Sequence, residues 1–171
     1  MAIPAFSPAM AAVDAVGPSG FTVSQKTHIT AAPDAVWAAL IQIGKWWSPE
    51  HSYSDVAANM ALDAKAGGCF CEALPGGGSV QHMVVVFAKP AAMLRLRGAL
   101  GPMQQMGVDG ALTWTLTAKD GGTDLTMRYA VGGYVPGGFD GLSKGVDAVL
   151  SQQVTRLQRF VETGAPVAKT P

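Results

Sequence analysis

Apolar residues three and four positions apart run through the last third of the chain and predict one long amphipathic helix. Between Asp140 and Val161 the apolar side chains form a single stripe: Leu142, Val146, Val149, Leu150, Val154, Leu157, Phe160 and Val161. A helix of about 22 residues is roughly 33 Å long. Its stripe therefore needs an equally long apolar partner, and the upstream strands are the candidate.

Upstream of this helix, apolar and polar residues alternate in short runs that predict β-strands. The runs cover residues 20–30, 68–74, 80–88, 93–100, 111–118 and 124–131. Glycine-rich turns at 75–78 and 119–122 join neighbouring runs into hairpins. Leu112, Trp114 and Leu116 alternate with threonines, which indicates one buried and one solvated face. Strands joined in this way form an antiparallel sheet.

A shorter amphipathic helix is predicted between the first strand and the others. Pro33 opens it, because proline suits the first helical position, and Pro49 ends it. The stretch 50–66 is polar and irregular, with a short helix near 57–62. Helices at the two ends of a strand-rich middle predict an α+β fold, in which a curved antiparallel sheet of about six strands surrounds the long helix.

The length and composition favour one domain. Of the 171 residues we assign 1–18 to a flexible lead-in, 19–163 to the domain and 164–171 to a tail. The chain carries no net charge and only 14% charged residues. Since proteins that bind nucleic acid usually show a basic patch, we predict no nucleic-acid partner.

No apolar run approaches the length of about 20 residues that spans a bilayer, so no integral membrane segment is predicted. Residues 9–11 (AMA) resemble a leader-peptidase site, but no basic residue precedes them. The expected compartment is the cytoplasm by default, and the periplasm or the exterior if an export leader has been trimmed. The sequence leaves the compartment and the oligomeric state open.

Several short sequence words resemble the START-like superfamily with the helix-grip fold. They are residues 29–37 (ITAAPDAVW), 45–49 (KWWSP), 66–68 (AGG), 89–90 (KP) and 94–96 (LRL). The resemblance spans roughly residues 21–161 and lies in the branch of polyketide cyclase-like proteins and activators of the heat-shock-protein-90 ATPase. It implies a sheet that curls around the C-terminal helix and leaves a hydrophobic pocket. Members bind lipids, hormones or polyketides, act as cyclases or serve as co-chaperones, so the fold leaves the function open.

The candidate chemistry lies on the first hairpin. With a two-residue turn at Gly76 and Gly77, Cys71 faces His82 and Cys69 faces Val84; a shift of one residue pairs Glu72 with His82 instead. Glu72, His82 and Cys71 are therefore candidate catalytic residues. A Cys–His nucleophile pair would also need an oxyanion donor and a group that orients the imidazole, and the sequence identifies neither.

Cys69, Cys71 and His82 could also be soft ligands for zinc. However, the cysteines form C-x-C on a strand, and a fourth ligand (His51 or Asp55) requires the irregular segment to fold over the hairpin. We predict no metal and no cofactor. A disulfide between the two cysteines is expected to be strained, because their Cα atoms on a strand are about 6.6 Å apart.

Aromatic residues suggest how a pocket would be lined. Rings with hydroxyl or indole donors suit small-molecule sites, and loop aromatics are not needed for a core. With the hairpin residues, the predicted ligand-binding set is Trp47, Tyr53, Cys71, His82, Trp114, Tyr134 and Phe139. The glycine-containing stretch 98–110 is predicted to be a lid, while Arg95 and Arg97 are expected to face solvent.

Three functions remain as hypotheses. The first is binding of a small, largely apolar molecule, lipid-like or polyketide-like, between the sheet and the C-terminal helix. The second is a cyclase or hydrolase-like enzyme that uses Glu72 and His82 with Cys71. The third is an interaction module that stimulates a chaperone ATPase. Binding is favoured over catalysis, because no known nucleophile or nucleotide motif is present in the sequence.

Overall fold

The structure is a computed structural model that describes residues 10–168, with side chains from residue 13 onward. Within these described residues, eight strands and three α-helices follow one another. The strands are β1 (Met10–Gly17), β2 (Gly20–Ile29), β3 (Met60–Leu62), β4 (Cys69–Ala73), β5 (Ser79–Lys89), β6 (Met93–Arg97), β7 (Gly107–Lys119) and β8 (Gly122–Tyr134), and the helices are α1 (Pro33–Leu40), α2 (Ile43–Trp46) and α3 (Asp140–Thr163). Short 3-10 turns lie at Pro49–His51, Ala57–Asn59, Pro75–Gly77 and Gly101–Gln105.

All eight strands form one antiparallel sheet in the order β1-β2-β8-β7-β6-β5-β4-β3. Helix α3 packs on β1 and β2. Helix α1 contacts α3 and β7, and α2 contacts α3 and β3. This is the predicted α+β helix-grip architecture, with eight strands instead of about six.

The two additional strands are the edges of the sheet. Residues 10–17, which were predicted to belong to a flexible lead-in, form β1 and pair with β2; the rest of that prediction, residues 1–9, lies outside the described residues. The register of β1 shifts between Val13 and Ala15, so the period-two pattern is interrupted at Asp14. Strand β3 has only three residues, too few for a pattern to be visible in the sequence.

The hairpin of β7 and β8 follows the sequence prediction closely. Lys119 pairs with Gly122, and the two residues between them, Asp120 and Gly121, have φ angles of 48° and 77°. Positive φ at both positions is the geometry of the tight turn that matches strand twist. The apolar positions of the two strands are buried as expected: Leu112, Trp114, Leu116, Leu125, Met127, Tyr129 and Val131.

The β4–β5 hairpin departs from the prediction. Its loop is longer than two residues, since Ala73 pairs with Ser79 around the 3-10 turn. Cys69 does lie opposite Val84, as predicted, but Cys71 lies opposite Gln81 and not opposite His82. A β-bulge causes this difference.

The bulge leaves His82 as an extra residue of β5. Phe70 pairs with Met83 while Cys71 pairs with Gln81, so His82 has no partner residue on β4. Because of this extra residue, His82 and Met83 are both buried although they are adjacent in sequence.

The predicted helix from Pro33 to Pro49 is divided into α1 and α2. The indole Nε1 of Trp46 donates to the carbonyl oxygens of Ala39 and Leu40, at 3.1 and 3.2 Å. These carbonyls would otherwise accept bonds from a continuing helix. The buried Trp46 therefore ends α1 and turns the chain into α2.

Helix α3 runs from Asp140 to Thr163, two residues beyond the predicted end. It ends at Gly164, whose φ of 76° and N–H bond to the Phe160 carbonyl form a left-handed C-cap. In its C-terminal half, Val154 and Leu157 are fully buried in the core. No helix of the described residues is long and apolar enough to cross a bilayer.

Polar side chains fix this half of α3 in place. Gln158 accepts from Thr27 and donates to the His28 carbonyl. The guanidinium of Arg156 donates to the carbonyls of Trp46 and Trp47. These bonds provide donors for the backbone carbonyls of His28, Trp46 and Trp47. They therefore hold α3 in a fixed position relative to β2 and to residues 46–47.

Candidate ligand-binding cavity

A cavity of about 530 Å³ lies between the N-terminal half of α3, the β4–β5 hairpin and two loops, which contribute lining residues within 47–53 and 100–105. Its volume is within the range of about 300–1,000 Å³ typical of small-molecule sites. Most of its wall is apolar, and the apolar lining residues are Trp47, Met60, Phe70, Leu100, Pro102, Met103, Val146, Val149 and Leu150.

The polar residues of the lining are concentrated at the rim. Glu50, His51 and Gln105 are exposed there. Deeper in the wall, His82 is buried with its ring 4.7 Å from that of Phe70, measured between centroids. The cavity therefore has a wet entrance and an apolar interior with one titratable group.

Glu72 lies behind His82 and accepts three hydrogen bonds. Nε2 of His82 is 2.9 Å from Oε2 of Glu72. The backbone N–H groups of Tyr53 and Ser54 donate to the same carboxylate at 3.1 and 2.6 Å. Both members of the Glu72–His82 pair are buried, and the bulge at His82 brings the imidazole to the carboxylate.

Burial and hydrogen bonding set the pKa of each member. Burial raises the pKa of Glu72, but the bonds from Ser54, Tyr53 and His82 outweigh it and hold that pKa below 4.5. Burial lowers the pKa of His82 below 6.5, against the opposing influence of Glu72. Near neutral pH, the pair is therefore a carboxylate beside a neutral imidazole.

Two tyrosines hold the loop between β6 and β7 against the cavity. The hydroxyl of Tyr129, on β8, donates to the Gly98 carbonyl at 2.9 Å and accepts the N–H of Leu100 at 3.2 Å. The hydroxyl of Tyr53 donates to the Gly101 carbonyl at 2.9 Å. Residues 98–106 of the predicted lid are thus a tethered loop that forms one wall of the cavity, while residues 107–110 belong to β7.

Three of the predicted ligand-binding residues line the cavity: Trp47, Tyr53 and His82. Trp114 and Phe139 are instead core residues, 3% and 2% exposed. Phe139 packs on Phe21 at the start of α3.

Tyr134 and Cys71 also lie away from the cavity. Tyr134 is at the end of β8 and 73% exposed. Cys71 is on the opposite face of β4 from Phe70 and Glu72, because side chains alternate along a strand. Arg95 and Arg97 lie on the outer face of β6, as predicted, with Arg97 paired to Asp109.

The two cysteines form a disulfide on this outer face. Cys69 and Cys71 are bonded, with their Cα atoms 5.4 Å apart, closer than the spacing expected of a regular strand. Neither sulfur is a free thiol, so the predicted Cys71–His82 nucleophile pair is not formed. Among residues 10–168, no three His, Cys, Asp or Glu side chains are grouped to hold a metal ion.

Two residues that shape the site, Gly145 and Tyr129, were not predicted from the sequence. Gly145 lines the cavity from α3, and a Cβ atom there would meet nothing within 4 Å. A mid-helix glycine that lowers helix propensity was the signal available for it. Tyr129 looked like one more buried strand residue, and its hydroxyl contacts could not be read from alternation.

This fold and cavity define a START-like helix-grip protein. The chain belongs to the family described as polyketide cyclase / dehydrase and lipid transport, whose model matches residues 20–162. That description supports a ligand-binding or cyclase-like role. No curated protein matches the chain.

Solved structures with the same fold share little sequence with the chain. CalU16 from Micromonospora echinospora is 16% identical, with a TM-score of 0.56 over 85% of this chain and 78% of that one. A conserved protein of unknown function from Enterococcus faecalis is 17% identical, with a TM-score of 0.62 over 91% and 80%. The Aha1 dimer from Colwellia psychrerythraea is 17% identical, with a TM-score of 0.56 over 84% and 97%.

Proposed function

We propose that the protein binds a small, largely apolar molecule in the cavity between its sheet and α3. The observation that carries this proposal is a largely apolar cavity of about 530 Å³ beside α3. The α3 residues that face it, among them Gly145, Val146 and Val149, do not fill it. A purely structural domain would fill such a volume with side chains, because interiors are close-packed.

The energetics are sufficient for useful affinity. Burying about 300 Å² of apolar ligand surface gains roughly 7 kcal/mol at about 25 cal/mol per Å². Association costs reduce this gain. The bonds that Tyr129 and Tyr53 make to the β6–β7 loop keep those costs low, since the wall is formed before a ligand arrives.

Filling the cavity from α3 tests the proposal. The probe is naphthalene, a small apolar molecule. Gly145→Leu places a side chain in the cavity, so we expect naphthalene binding to fall at least tenfold. Gly141→Leu is the matched control: a Cβ there also meets nothing within 4 Å, on the same helix, but Gly141 does not line the cavity. Quenching of tryptophan fluorescence reports binding, because Trp47 lines the wall.

Two results would count against this assignment. One is a native protein that binds neither naphthalene nor other aromatic and acyl probes up to their solubility limits. The other is equal loss of binding in Gly145→Leu and Gly141→Leu, which would indicate damage to the helix and not occupation of the cavity.

The Glu72–His82 pair favours a second candidate, general-base catalysis of a cyclase-like reaction. A neutral imidazole oriented by a buried carboxylate can remove a proton from a carbon next to a carbonyl group. The C–H electron pair then moves into the enolate and the proton stays on the imidazole, ready to be returned. Cys71 has no part in this proposal, because it is in the disulfide.

Hydrogen exchange on a bound diketone tests this second candidate. We expect the protein to accelerate deuterium uptake at the central carbon of 1-phenyl-1,3-butanedione, measured by proton NMR. His82→Gln should abolish the acceleration while the diketone still binds. Equal exchange with the native protein and with His82→Gln would exclude catalysis by this imidazole. Nothing in the described residues favours stimulation of a chaperone ATPase, so that role is not proposed.

A further inference from the structure

The hydrogen bonds of Glu72 determine which nitrogen of His82 carries the proton. An ionised carboxylate can only accept hydrogen bonds, and Glu72 already accepts from the N–H groups of Tyr53 and Ser54. Nε2 of His82, 2.9 Å from Oε2, must therefore be the third donor. The carboxylate fixes His82 as the tautomer with hydrogen on Nε2.

In this tautomer, Nδ1 of His82 is a bare acceptor. A neutral imidazole has one N–H group and one lone pair, and the N–H group is used by Glu72. Within residues 10–168, Nδ1 makes no hydrogen bond. His82 lines the cavity, and Nδ1 is not among the fully buried side-chain atoms that lack a partner in the described residues. We infer that its lone pair is accessible to a ligand and is unsatisfied when an apolar group lies against it.

The rest of the lining does not favour an anion. Within the described chain, the residues around the cavity include no lysine or arginine. The charged or titratable groups that line it are the exposed Glu50, His51 and Tyr53 and the buried His82, and Glu72 lies behind His82. A carboxylate in the interior would meet the Nδ1 lone pair with the negative charge of Glu72 behind the ring, and no lining cation would offset its lost hydration.

We propose that the cavity selects neutral ligands with a hydroxyl or N–H group that donates to Nδ1 of His82, and that it discriminates against carboxylates. This inference rests on the proposed binding function and specifies the ligand's chemistry. Alcohols and phenols on an apolar frame satisfy it, whereas fatty-acid-like anions do not.

Four probes with one ring system test the selection at pH 7.5. Naphthalene measures apolar binding alone, 2-naphthol adds a donor, 2-methoxynaphthalene removes that donor, and 2-naphthoate adds a negative charge. We expect 2-naphthol to bind roughly tenfold more tightly than 2-methoxynaphthalene, as one neutral hydrogen bond allows. We expect 2-naphthoate to bind more weakly than either.

Variants identify the residue responsible. In His82→Phe the ring is retained without its lone pair, so 2-naphthol and 2-methoxynaphthalene should bind equally. His28→Phe is the matched control, because His28 pairs with Asp124 outside the cavity and its loss should leave the preference unchanged. Long-range nitrogen–proton NMR of the free protein should show hydrogen on Nε2 of His82.

The outcomes separate this inference from the binding function. If naphthalene binds but 2-naphthoate binds as tightly as 2-naphthol, the selection is wrong while the binding function stands. If His82 carries its hydrogen on Nδ1 in the free protein, the selection is also wrong, whatever binds. If none of the four probes binds, both proposals fail.

Discussion

At the scale of single residues, Glu72 connects the chemistry of the cavity to the stability of its wall. A buried carboxylate is costly unless its charge is compensated by hydrogen bonds. Here two backbone N–H groups and the imidazole of His82 compensate it. The same group therefore holds the loop at Tyr53 and Ser54 and orients the ring that lines the cavity.

The Glu72–His82 pair should make the folded protein less stable in mild acid. The folded-state pKa of His82 is below 6.5 and that of Glu72 is below 4.5. As the pH falls through these values, the unfolded chain binds protons before the folded chain does, so the free energy of unfolding decreases. We expect the decrease to begin below about pH 6.5, where His82 contributes first, facing Glu72, Tyr53 and the rim residues Glu50 and His51.

Urea unfolding at pH 7.5 and pH 5.0 measures this effect. His82→Phe does not titrate, so it should lose less stability between the two pH values than the native protein does. His51→Gln, on the exposed rim, controls for the removal of a histidine as such. An unchanged pH dependence in His82→Phe would show that the buried imidazole is not the sensitive group.

The sequence identified Glu72 and His82 as partners but not the geometry that joins them. They are titratable side chains on two facing strands, so their proximity follows from the hairpin. Their alignment depends on an extra residue in β5. The apolar run from Met83 to Val85 contains no interruption in the sequence that would show where this extra residue lies. For the same reason, the sequence could not show that Cys71 lies on the outer face of the sheet, because a shift of one residue exchanges the two faces of a strand.

At the scale of elements, the loop between β6 and β7 depends on Tyr129. Its hydroxyl satisfies both Gly98 and Leu100, and burial raises its pKa well above 10.0, so it remains protonated as a donor. Tyr129→Phe leaves a part-buried carbonyl and a part-buried N–H group without this partner. We expect a loss of about 1–3 kcal/mol in the free energy of unfolding.

Hydrogen exchange distinguishes a local effect of Tyr129→Phe from a global one. The amide of Leu100 should exchange faster, while the amides of the β7–β8 hairpin keep their protection relative to the new global stability. Uniform acceleration across both regions would show that the hydroxyl supports the whole sheet and not the loop.

Tyr53 controls the opposite edge of the same loop. Its hydroxyl bonds to the Gly101 carbonyl, but the residue is 46% exposed, so water can replace the bond. We expect Tyr53→Phe to cost less than about 1 kcal/mol in stability and to increase the rate of probe dissociation, measured by stopped-flow fluorescence. Tyr134→Phe, at a tyrosine 73% exposed and outside the lining, should leave that rate unchanged. Equal rates in all three proteins would exclude a gating contact.

Elements with local signals were predictable, and elements without them were not. The β7–β8 hairpin follows from its alternation and from Asp120-Gly121, which tolerate positive φ. Strand β1 lacks such a signal, since small residues and a register shift at Asp14 hide its period. The division of the first helix depends on a tertiary contact, the indole of Trp46 with the carbonyls that end α1.

At the scale of the whole molecule, the two halves of α3 have different roles. The C-terminal half buries Val154 and Leu157 in the core. The N-terminal half presents Gly145, Val146 and Val149 to the cavity. One continuous amphipathic stripe thus serves both halves, which is why the sequence predicted the helix well but could not show where packing gives way to open space.

This division predicts unequal effects of truncating the two halves. Leu157→Ala removes a fully buried side chain and should cost about 2–5 kcal/mol in stability. Val149→Ala removes a half-buried side chain that faces the cavity, so we expect a cost below about 1.5 kcal/mol. Hydrogen exchange should show that a bound probe protects residues 145–150 while 154–160 stay protected with or without it. If the two substitutions cost the same and the probe protects both halves equally, the helix is packed along its whole length and the cavity is not open beside it.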